Sequence, residues 1–215
     1  MMIQAVIFDM DGLLVDSEHI GIDVMHECGK LQGEHLPLEL IASTLGSTHA
    51  TSIAMYRRLY PKMDPERLFV DFKAAMMQKA EKGEIPLKKG ARELLDVLKQ
   101  RNIPRAVGSS SPRSVVNVYL ENTGVLGDFQ ALITGDMGLP SKPAPDMFLA
   151  AAKALGVKAE NCLVLEDSVN GIKAGRNAGM IVGMVPDVHP YREELQPYCD
   201  HVLSDLAAVI PLLKA

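Results

Sequence analysis

Near its beginning the chain reads Ile3-Gln4-Ala5-Val6-Ile7-Phe8-Asp9-Met10-Asp11-Gly12, an apolar run that ends in two carboxylates and a glycine. The apolar part predicts a short buried β-strand. Side chains i and i+2 of an extended chain share a side, so Asp9 and Asp11 are predicted to face one small volume. Like charges this close repel each other unless a cation lies between them or one of them holds a proton. The pattern favours a site at the end of this strand, although two aspartates can also simply terminate a strand.

Helical patterns follow this strand as far as about Glu84, without a second strand between them. Four helices are predicted here, the second over residues 38–45 and the third over 53–59. The fourth has the clearest start, because Asp64 is a good helix cap and Pro65 suits the first helical position. Four consecutive helices after one strand indicate an all-α insertion.

From about residue 90 helices alternate with strands, the last two of which are weak patterns at 180–185 and 201–203. Such alternation is typical of a parallel sheet covered by helices on both faces. The predicted fold is α/β, a Rossmann-like doubly wound parallel sheet core with an inserted four-helix cap domain. The core comprises residues 1–15 and 85–215 and the cap residues 16–84, and residues 13–15 and 84–89 link the two.

The composition of the chain argues against several kinds of partner and site. The 215 residues carry a formal net charge of −5, which argues against general affinity for nucleic acid or for anionic membranes. The three cysteines are far apart and form no Cys/His ligand pattern, so a zinc site and a disulfide framework are not expected. No apolar run has the length of a membrane span, and the apolar start lacks the basic leader of a signal peptide. We expect a monomeric cytoplasmic protein.

Polar residues follow the predicted strands at the same edge of the sheet. Asp9 and Asp11 end the first strand, Ser109 ends the second, and Glu166-Asp167 ends the fourth. Ligands of open parallel sheets bind outside the carboxyl ends of the strands, so these side chains are predicted to converge. The loop that carries Lys142 is predicted to reach the same edge.

The residue types suit phosphate chemistry. Carboxylates without histidine or cysteine are the ligands that Mg²⁺ prefers. Ser109, Lys142 and the backbone N–H groups of the helix that opens near Pro112 could hold a phosphoryl group. A carboxylate can also act as a nucleophile and form an acyl phosphate.

Each of these residues also has a simpler interpretation. Ser111 is predicted to cap the helix that follows it, Lys142 could be a solvated loop lysine, and Glu166-Asp167 could cap a helix. If all of these simpler interpretations held, several polar residues would have come to the same sheet edge for unrelated reasons. The chain has no GxxxxGK[ST], no strand followed by GxGxxG and no GxSxG, which disfavours P-loop enzymes, dinucleotide-binding proteins and serine hydrolases.

Taken together, the motifs resemble those of the haloacid dehalogenase superfamily, in its branch of small phosphatases and β-phosphoglucomutase-like proteins with a helical cap. Four motifs carry the resemblance, in family order: Asp9-Met10-Asp11-Gly12, Val107-Gly108-Ser109-Ser110-Ser111, Lys142-Pro143-Ala144-Pro145 and Glu166-Asp167-Ser168. The dehalogenases themselves lack the second acid and need no metal. Asp11 and Asp167 therefore indicate phosphoryl transfer.

The resemblance implies a role for each motif. Asp9 corresponds to the nucleophile and Asp11 to the general acid and base. Ser109 and Lys142 would bind the transferred phosphoryl group, and Lys142 would also neutralise Asp9.

The resemblance also implies which residues bind a metal ion and which lie near the substrate. Mg²⁺ would be bound by Asp9, by Asp167 and by Asp11 through its backbone carbonyl, with Glu166 as an outer or alternative ligand. We further expect Ser110, Glu18 and His49 to lie on the substrate side, although the simpler interpretation of His49 is a surface-loop histidine.

The leading hypothesis is a Mg²⁺-dependent phosphatase of a small phosphorylated metabolite such as a sugar phosphate. One alternative is a β-phosphoglucomutase-like phosphomutase, and another is a binding protein without activity. In the mutases, a cap histidine and a cap arginine handle the sugar phosphate. Their positions correspond to Gly21 and His49 in this chain, which favours the phosphatase.

Overall fold

The structure, a computed structural model, describes residues 2–213, and its centre is a six-stranded sheet. The strands lie in the order β3-β2-β1-β4-β5-β6, and every neighbouring pair is parallel. They span β1 Ala5–Phe8, β2 Arg105–Ser109, β3 Ala131–Thr134, β4 Cys162–Glu166, β5 Ile181–Met184 and β6 His201–Val202. The first strand is therefore central, with β2 and β4 on its two sides. This arrangement confirms the predicted α/β fold class.

Eight α-helices accompany the sheet in the described part of the chain. They span α1 Ser17–Leu31, α2 Leu38–Ala42, α3 His49–Leu59, α4 Pro65–Glu81, α5 Ala91–Gln100, α6 Arg113–Asn122, α7 Asp146–Leu155 and α8 Val169–Asn177. Short 3₁₀ helices span Leu126–Asp128, Gly135–Met137, Ala159–Asn161, Glu193–Tyr198 and Leu206–Leu212. The four helices α1–α4 lie between β1 and α5, as the sequence predicted. No described helix is long and apolar enough to cross a membrane.

The two faces of the sheet are covered by separate apolar cores. Along β1, Val6 and Phe8 pack into one core, and Ala5 and Ile7 pack into the other. This division follows from the alternation of side chains along an extended strand. A strand buried on both faces explains why β1 reads as an almost continuous apolar run.

Helix boundaries agree best where a cap is explicit. The Asp64 carboxylate accepts a hydrogen bond from the backbone N–H of Arg67 and starts α4, as predicted. The prediction for α2 was too long, because the helix ends at Ala42, before Leu45. The prediction for α3 started too late, because the Thr48 hydroxyl accepts from the Thr51 N–H and begins the helix at His49.

The two segments that connect α1–α4 to the rest of the chain pair with each other. Val15 and Leu87 form an antiparallel bridge. Beside it the Asp16 N–H donates to the Pro86 carbonyl, and the Lys88 N–H donates to the Leu14 carbonyl, both at 2.9 Å. The domain limits at residues 16 and 84 fall beside this pairing and stay a prediction.

Candidate active site

The predicted site residues meet at the carboxyl edge of the sheet, around the end of β1. The Asp9 N–H donates to the Leu165 carbonyl of β4, so the chain continues along the sheet before it turns. Ser109 is the last residue of β2, and Glu166 is the last residue of β4. The convergence inferred from strand ends is therefore present in the structure.

Lys142 lies at the centre of this edge. Its ammonium group donates to a carboxylate oxygen of Asp9, to Glu166 Oε1 at 2.6 Å and to the Gly108 carbonyl at 3.0 Å. It also lies 4.8 Å from the centre of the Phe148 ring. The Lys142 side chain is only 6% exposed, which rules out the interpretation as a solvated loop lysine.

Glu166 orients this lysine. Its Oε1 accepts from Lys142, while its Oε2 accepts from the backbone N–H groups of Asp167 and Ser168 and from the Ser168 hydroxyl. A Cβ at Gly171 would lie 1.8 Å from the Glu166 carboxylate, so only glycine leaves room for it. Glu166 is thus locked in place, with both of its oxygens in hydrogen bonds.

The Asp11 carboxylate is turned toward hydroxyl groups. Ser17 donates to its Oδ1 at 2.9 Å, and Ser109 and Ser111 donate to its Oδ2 at 3.3 and 2.9 Å. The prediction that Ser111 caps α6 is wrong, because the N-cap residue is Pro112 and has no side-chain cap bond. The Ser111 hydroxyl instead donates to the Asp11 carboxylate, and hydrogen bonds to an ionised acceptor are strong.

A metal could bind beside Asp9. Oxygens of Asp9, Glu166 and Asp167 lie within 4.8 Å of one another, and all three residues are buried. Asp167 Oδ2 has no hydrogen-bond partner in the described part of the chain. A Cβ at Gly12, where φ is +80°, would come within 2.5 Å of that oxygen. A buried, unpartnered oxygen among carboxylates fits Mg²⁺, which prefers hard oxygen ligands.

The electrostatics of this edge also suit the binding of a cation. Burial raises the pKa of Asp9 and of Asp167 well above the usual aspartate range, and neighbouring carboxylates raise both further. Burial alone would lower the pKa of Lys142, but Asp9 and Glu166 raise it above its usual value. One lysine therefore faces several buried acids, which a divalent cation would compensate.

Two further acids lie next to Asp167, and sequence reasoning found only one of them. Oxygens of Glu18, Asp167 and Asp187 lie within 4.8 Å of one another, and each residue has a buried oxygen without a hydrogen-bond partner in the described part of the chain. Burial raises the pKa of Glu18 to about 8. Asp187 Oδ1 accepts from Lys88 at 2.6 Å, which ties the returning linker to this edge.

Asp187 and Ser17 were missed for different reasons. Asp187 lies in the irregular segment after β5, where no period or motif marks it. Ser17 looks like an ordinary residue at the start of a helix, and only the folded chain brings its hydroxyl to Asp11. A search for polar residues after every predicted strand would have included Asp187.

Ser110 and His49 do not join the carboxylates. Ser110 is exposed, and its backbone carbonyl packs against Gly135, where a Cβ would approach to 2.0 Å. His49 begins α3, and its ring meets the edge of Phe69 with the centroids 4.7 Å apart. It lines a cavity of about 540 Å³ that also contacts Asp11 and Glu18. His49 and Glu18 thus lie on the predicted substrate side, and Ser110 does not line this cavity.

Comparison with known proteins agrees with these motifs. The family model of the haloacid dehalogenase-like hydrolases matches residues 3–179, which include all four motifs. The chain belongs to this family. Hexitol phosphatase B of Escherichia coli (strain K12) is 32% identical over 211 residues, covering 95% of this chain and 93% of that protein. A Drosophila melanogaster protein named "Probable pseudouridine-5'-phosphatase" is 31% identical over 215 residues, covering 95% of this chain and 90% of that protein.

A solved structure shows the same architecture. The HAD family hydrolase from Deinococcus radiodurans R1, with bound phosphate and sodium, matches with a TM-score of 0.80 and 29% identity. The match covers 95% of this chain and 92% of that chain. The resemblance to haloacid dehalogenase-like hydrolases is therefore confirmed along most of the chain.

Proposed function

We propose that the protein is a Mg²⁺-dependent phosphomonoester hydrolase that acts through an aspartyl phosphate. The observation that carries the proposal is the buried contact of Asp9 with Lys142, beside an unpartnered oxygen of Asp167. Asp11 stands next to them and borders the cavity, where a leaving group would lie. A nucleophile, an acid, a cation and a metal position are thus within one edge of the sheet.

Each residue has a defined part in the reaction. An Asp9 oxygen forms a bond to phosphorus as the bond from phosphorus to the leaving oxygen breaks, and Asp11 gives that oxygen its proton. Asp11 then accepts a proton from water, whose oxygen attacks the phosphorus and releases Asp9 as a carboxylate. Lys142 and the Ser109 hydroxyl hold the phosphoryl oxygens during both steps.

Asp9 and Asp167, with the backbone carbonyl of Asp11, would hold Mg²⁺. Glu166 would remain beside them as the partner of Lys142. When bound, Mg²⁺ neutralises the acids and stabilises charge on the phosphoryl oxygens.

The names of the relatives support a small phosphorylated metabolite as the substrate. One relative is named for hexitol phosphates and another for pseudouridine 5'-phosphate, so the names include both a polyol and a ring-bearing substrate. Cytoplasmic location and the monomeric state stay predictions.

Purified protein should release inorganic phosphate from members of a panel of phosphomonoesters, and removal of Mg²⁺ with a chelator should stop the release. Mg²⁺ added in excess of the chelator should restore it. If no member of the panel is hydrolysed at any Mg²⁺ concentration, the proposal is wrong.

The Asp167→Ala variant should need at least about tenfold more Mg²⁺ for half-maximal activity, since it lacks a metal ligand. Residual activity is expected at high Mg²⁺ because this ion usually keeps several waters. The measurement is a Mg²⁺ titration of phosphate release, with Asp23→Ala as a control at an exposed aspartate of α1. An unchanged titration would make Asp167 a structural residue and not a ligand.

Stability without metal should fall as pH rises. The pKa of Glu18 is raised from 4.5 to about 8, so the folded protein keeps a proton that the unfolded chain has released between these values. Unfolding is then favoured progressively as pH rises through this range, and the raised pKa values of Asp9 and Asp167 act in the same direction. Melting curves in a chelator should show this decline, and Glu18→Gln should flatten it.

Mg²⁺ binds the deprotonated acids, so its stabilising effect should grow over the same pH range. A free Mg²⁺ concentration one hundred times the dissociation constant would add about 2.7 kcal/mol to the free energy of unfolding. If the increase in melting temperature with Mg²⁺ were the same at every pH, these carboxylates would not be its ligands.

Phosphatase activity should exceed mutase activity. Gly21 presents no side chain to the cavity, and the nearby His19 is exposed and contacts Asp16 at 2.9 Å. We expect no interconversion of β-glucose 1-phosphate and glucose 6-phosphate, even with a bisphosphate primer. An assay in which mutase turnover is faster than phosphate release would overturn the assignment as a phosphatase.

A further inference from the structure

The cavity beside Asp11 has mostly apolar walls. Apolar and aromatic side chains come from α1, α2, α4 and α6, among them Met25, Ile41, Phe72, Met76 and Tyr119. At about 540 Å³ the cavity has room for a group larger than a triose. A leaving group that extends from Asp11 therefore meets mostly hydrocarbon.

Several polar groups of the lining are already engaged. The Ser17 and Ser111 hydroxyls donate to Asp11, and the Thr44 hydroxyl donates to the Ile41 carbonyl at 2.7 Å. A polyol in this cavity would place several of its hydroxyl groups against apolar side chains, where they lose water without gaining a partner, and this weakens binding. The apolar walls therefore favour a leaving group with few hydroxyl groups.

The charges of the lining disfavour a second phosphate. Lys73 is the only lysine or arginine among the described residues that line the cavity, and its side chain is exposed. The carboxylates of Asp11 and Glu18 face the same space. A second phosphate would find a single exposed cation beside acidic side chains, whereas a neutral ring needs no counter-charge.

We propose that the preferred substrate is a phosphomonoester whose alcohol carries an aromatic or aliphatic ring and no second phosphate. This inference rests on the proposed phosphatase function and adds the class of leaving group. The ring would pack against Phe72 of α4, which lies over Gly21 of α1. A Cβ added at Gly21 would be 3.5 Å from Phe72 Cζ, so the glycine keeps this part of the cavity open.

The test compares primary alkyl monoesters, so that the leaving oxygen is chemically similar in each. The probes are 3-phenylpropyl phosphate, propyl phosphate and a hexitol 6-phosphate, and the measurement is kcat/KM for phosphate release. We expect the phenylpropyl ester to exceed both of the others by about tenfold or more, the range that one buried apolar group supplies. A hexitol ester hydrolysed faster than the phenylpropyl ester would overturn the inference and leave the phosphatase function intact. No release from any ester would instead contradict the phosphatase function.

Two variants connect the preference to this cavity. Phe72→Ala removes part of the wall, and Gly21→Leu fills the space beside it, so each should reduce the ratio of phenylpropyl to propyl kcat/KM at least about fivefold. Val70→Ala is the matched control for Phe72→Ala, because Val70 lies on the same helix and is 61% exposed. It should keep the wild-type ratio.

Folding is checked separately by thermal melting. Gly21→Ala adds only a methyl group at ordinary contact distance and improves helix propensity, so it should melt no lower than the wild type. If either Phe72→Ala or Gly21→Leu fails to fold, the other variant and Gly21→Ala still report the ratio of phenylpropyl to propyl kcat/KM. An unchanged ratio in every folded variant would show that the ring does not bind in this cavity.

Discussion

Asp9→Asn should abolish phosphate release, because an amide cannot form the acyl phosphate. Loss of such a group costs at least the 10²–10⁴-fold typical of a catalytic acid or base. The measurement is phosphate release at saturating Mg²⁺, beside Asp96→Asn as a control at an exposed aspartate of α5. A rate above about a tenth of wild type, far more than that range allows, would remove Asp9 from the role of nucleophile.

The same variant should remain folded. The Asp9 carboxylate is buried next to Glu166 and Asp11, and burial raises its pKa, so the fold does not favour its charged form. Lys142 would keep Glu166 Oε1 at 2.6 Å and the Gly108 carbonyl at 3.0 Å. In a chelator we therefore expect Asp9→Asn to melt no lower than the wild type.

Trapping with beryllium fluoride and Mg²⁺ separates the nucleophile from a merely structural acid. The wild type should form a stable beryllium fluoride adduct on Asp9, and this adduct should slow unfolding of the protein. Asp9→Asn should form no such adduct. An adduct that forms equally on Asp9→Asn would place the covalent step on another residue.

The sequence predicted which side chains gather at the carboxyl edge of the sheet, because the topology brings them together. Parallel strands end at the same edge, so residues that follow β1, β2 and β4 had to meet once the alternation of strands and helices was recognised. Asp9, Ser109 and Asp167 needed no further information. The sequence did not predict that Lys142 is buried, since a loop has no periodicity to indicate where its side chains point.

Local sequence rules gave three wrong or missing predictions, for different reasons. Ser111 before Pro112 matches a helix cap, yet its hydroxyl bonds to the Asp11 carboxylate 2.9 Å away. The late start predicted for α3 has a local origin, because Thr48 and His49 lack the apolar spacing that indicates a helix. Asp187 follows a weakly predicted strand without a motif, and its position beside Asp167 became visible only in the fold.

Lys142→Ala should combine a catalytic and a structural loss. Without the lysine, Asp9 and Glu166 would be buried without a cation, and breaking a buried ion pair costs about 3–5 kcal/mol. Phosphate release should fall at least about a hundredfold, because the charge that holds the phosphoryl group is lost. Urea unfolding and phosphate release measure the two effects, with Lys99→Ala as a control at a lysine that is 71% exposed.

Lys142→Arg should retain more activity than Lys142→Ala, although less than the wild type. The guanidinium keeps the charge, but its planar fork is larger than an ammonium group that reaches Glu166 and Gly108 at 2.6 and 3.0 Å. Near-normal activity in both variants would show that this lysine does not act on the phosphoryl group, in spite of its burial.

A double variant tests the electrostatic explanation of the stability loss. Suppose that Lys142 stabilises the fold by neutralising buried acids. Replacing Glu166 by glutamine removes one of these charges, so Lys142→Met should then lower the free energy of unfolding by less than it does in the wild type. The double variant Lys142→Met/Glu166→Gln should then be more stable than the sum of the two single losses predicts, by about 0.5–3 kcal/mol. Strict additivity would mean that the contribution of Lys142 to stability does not depend on the charge of Glu166.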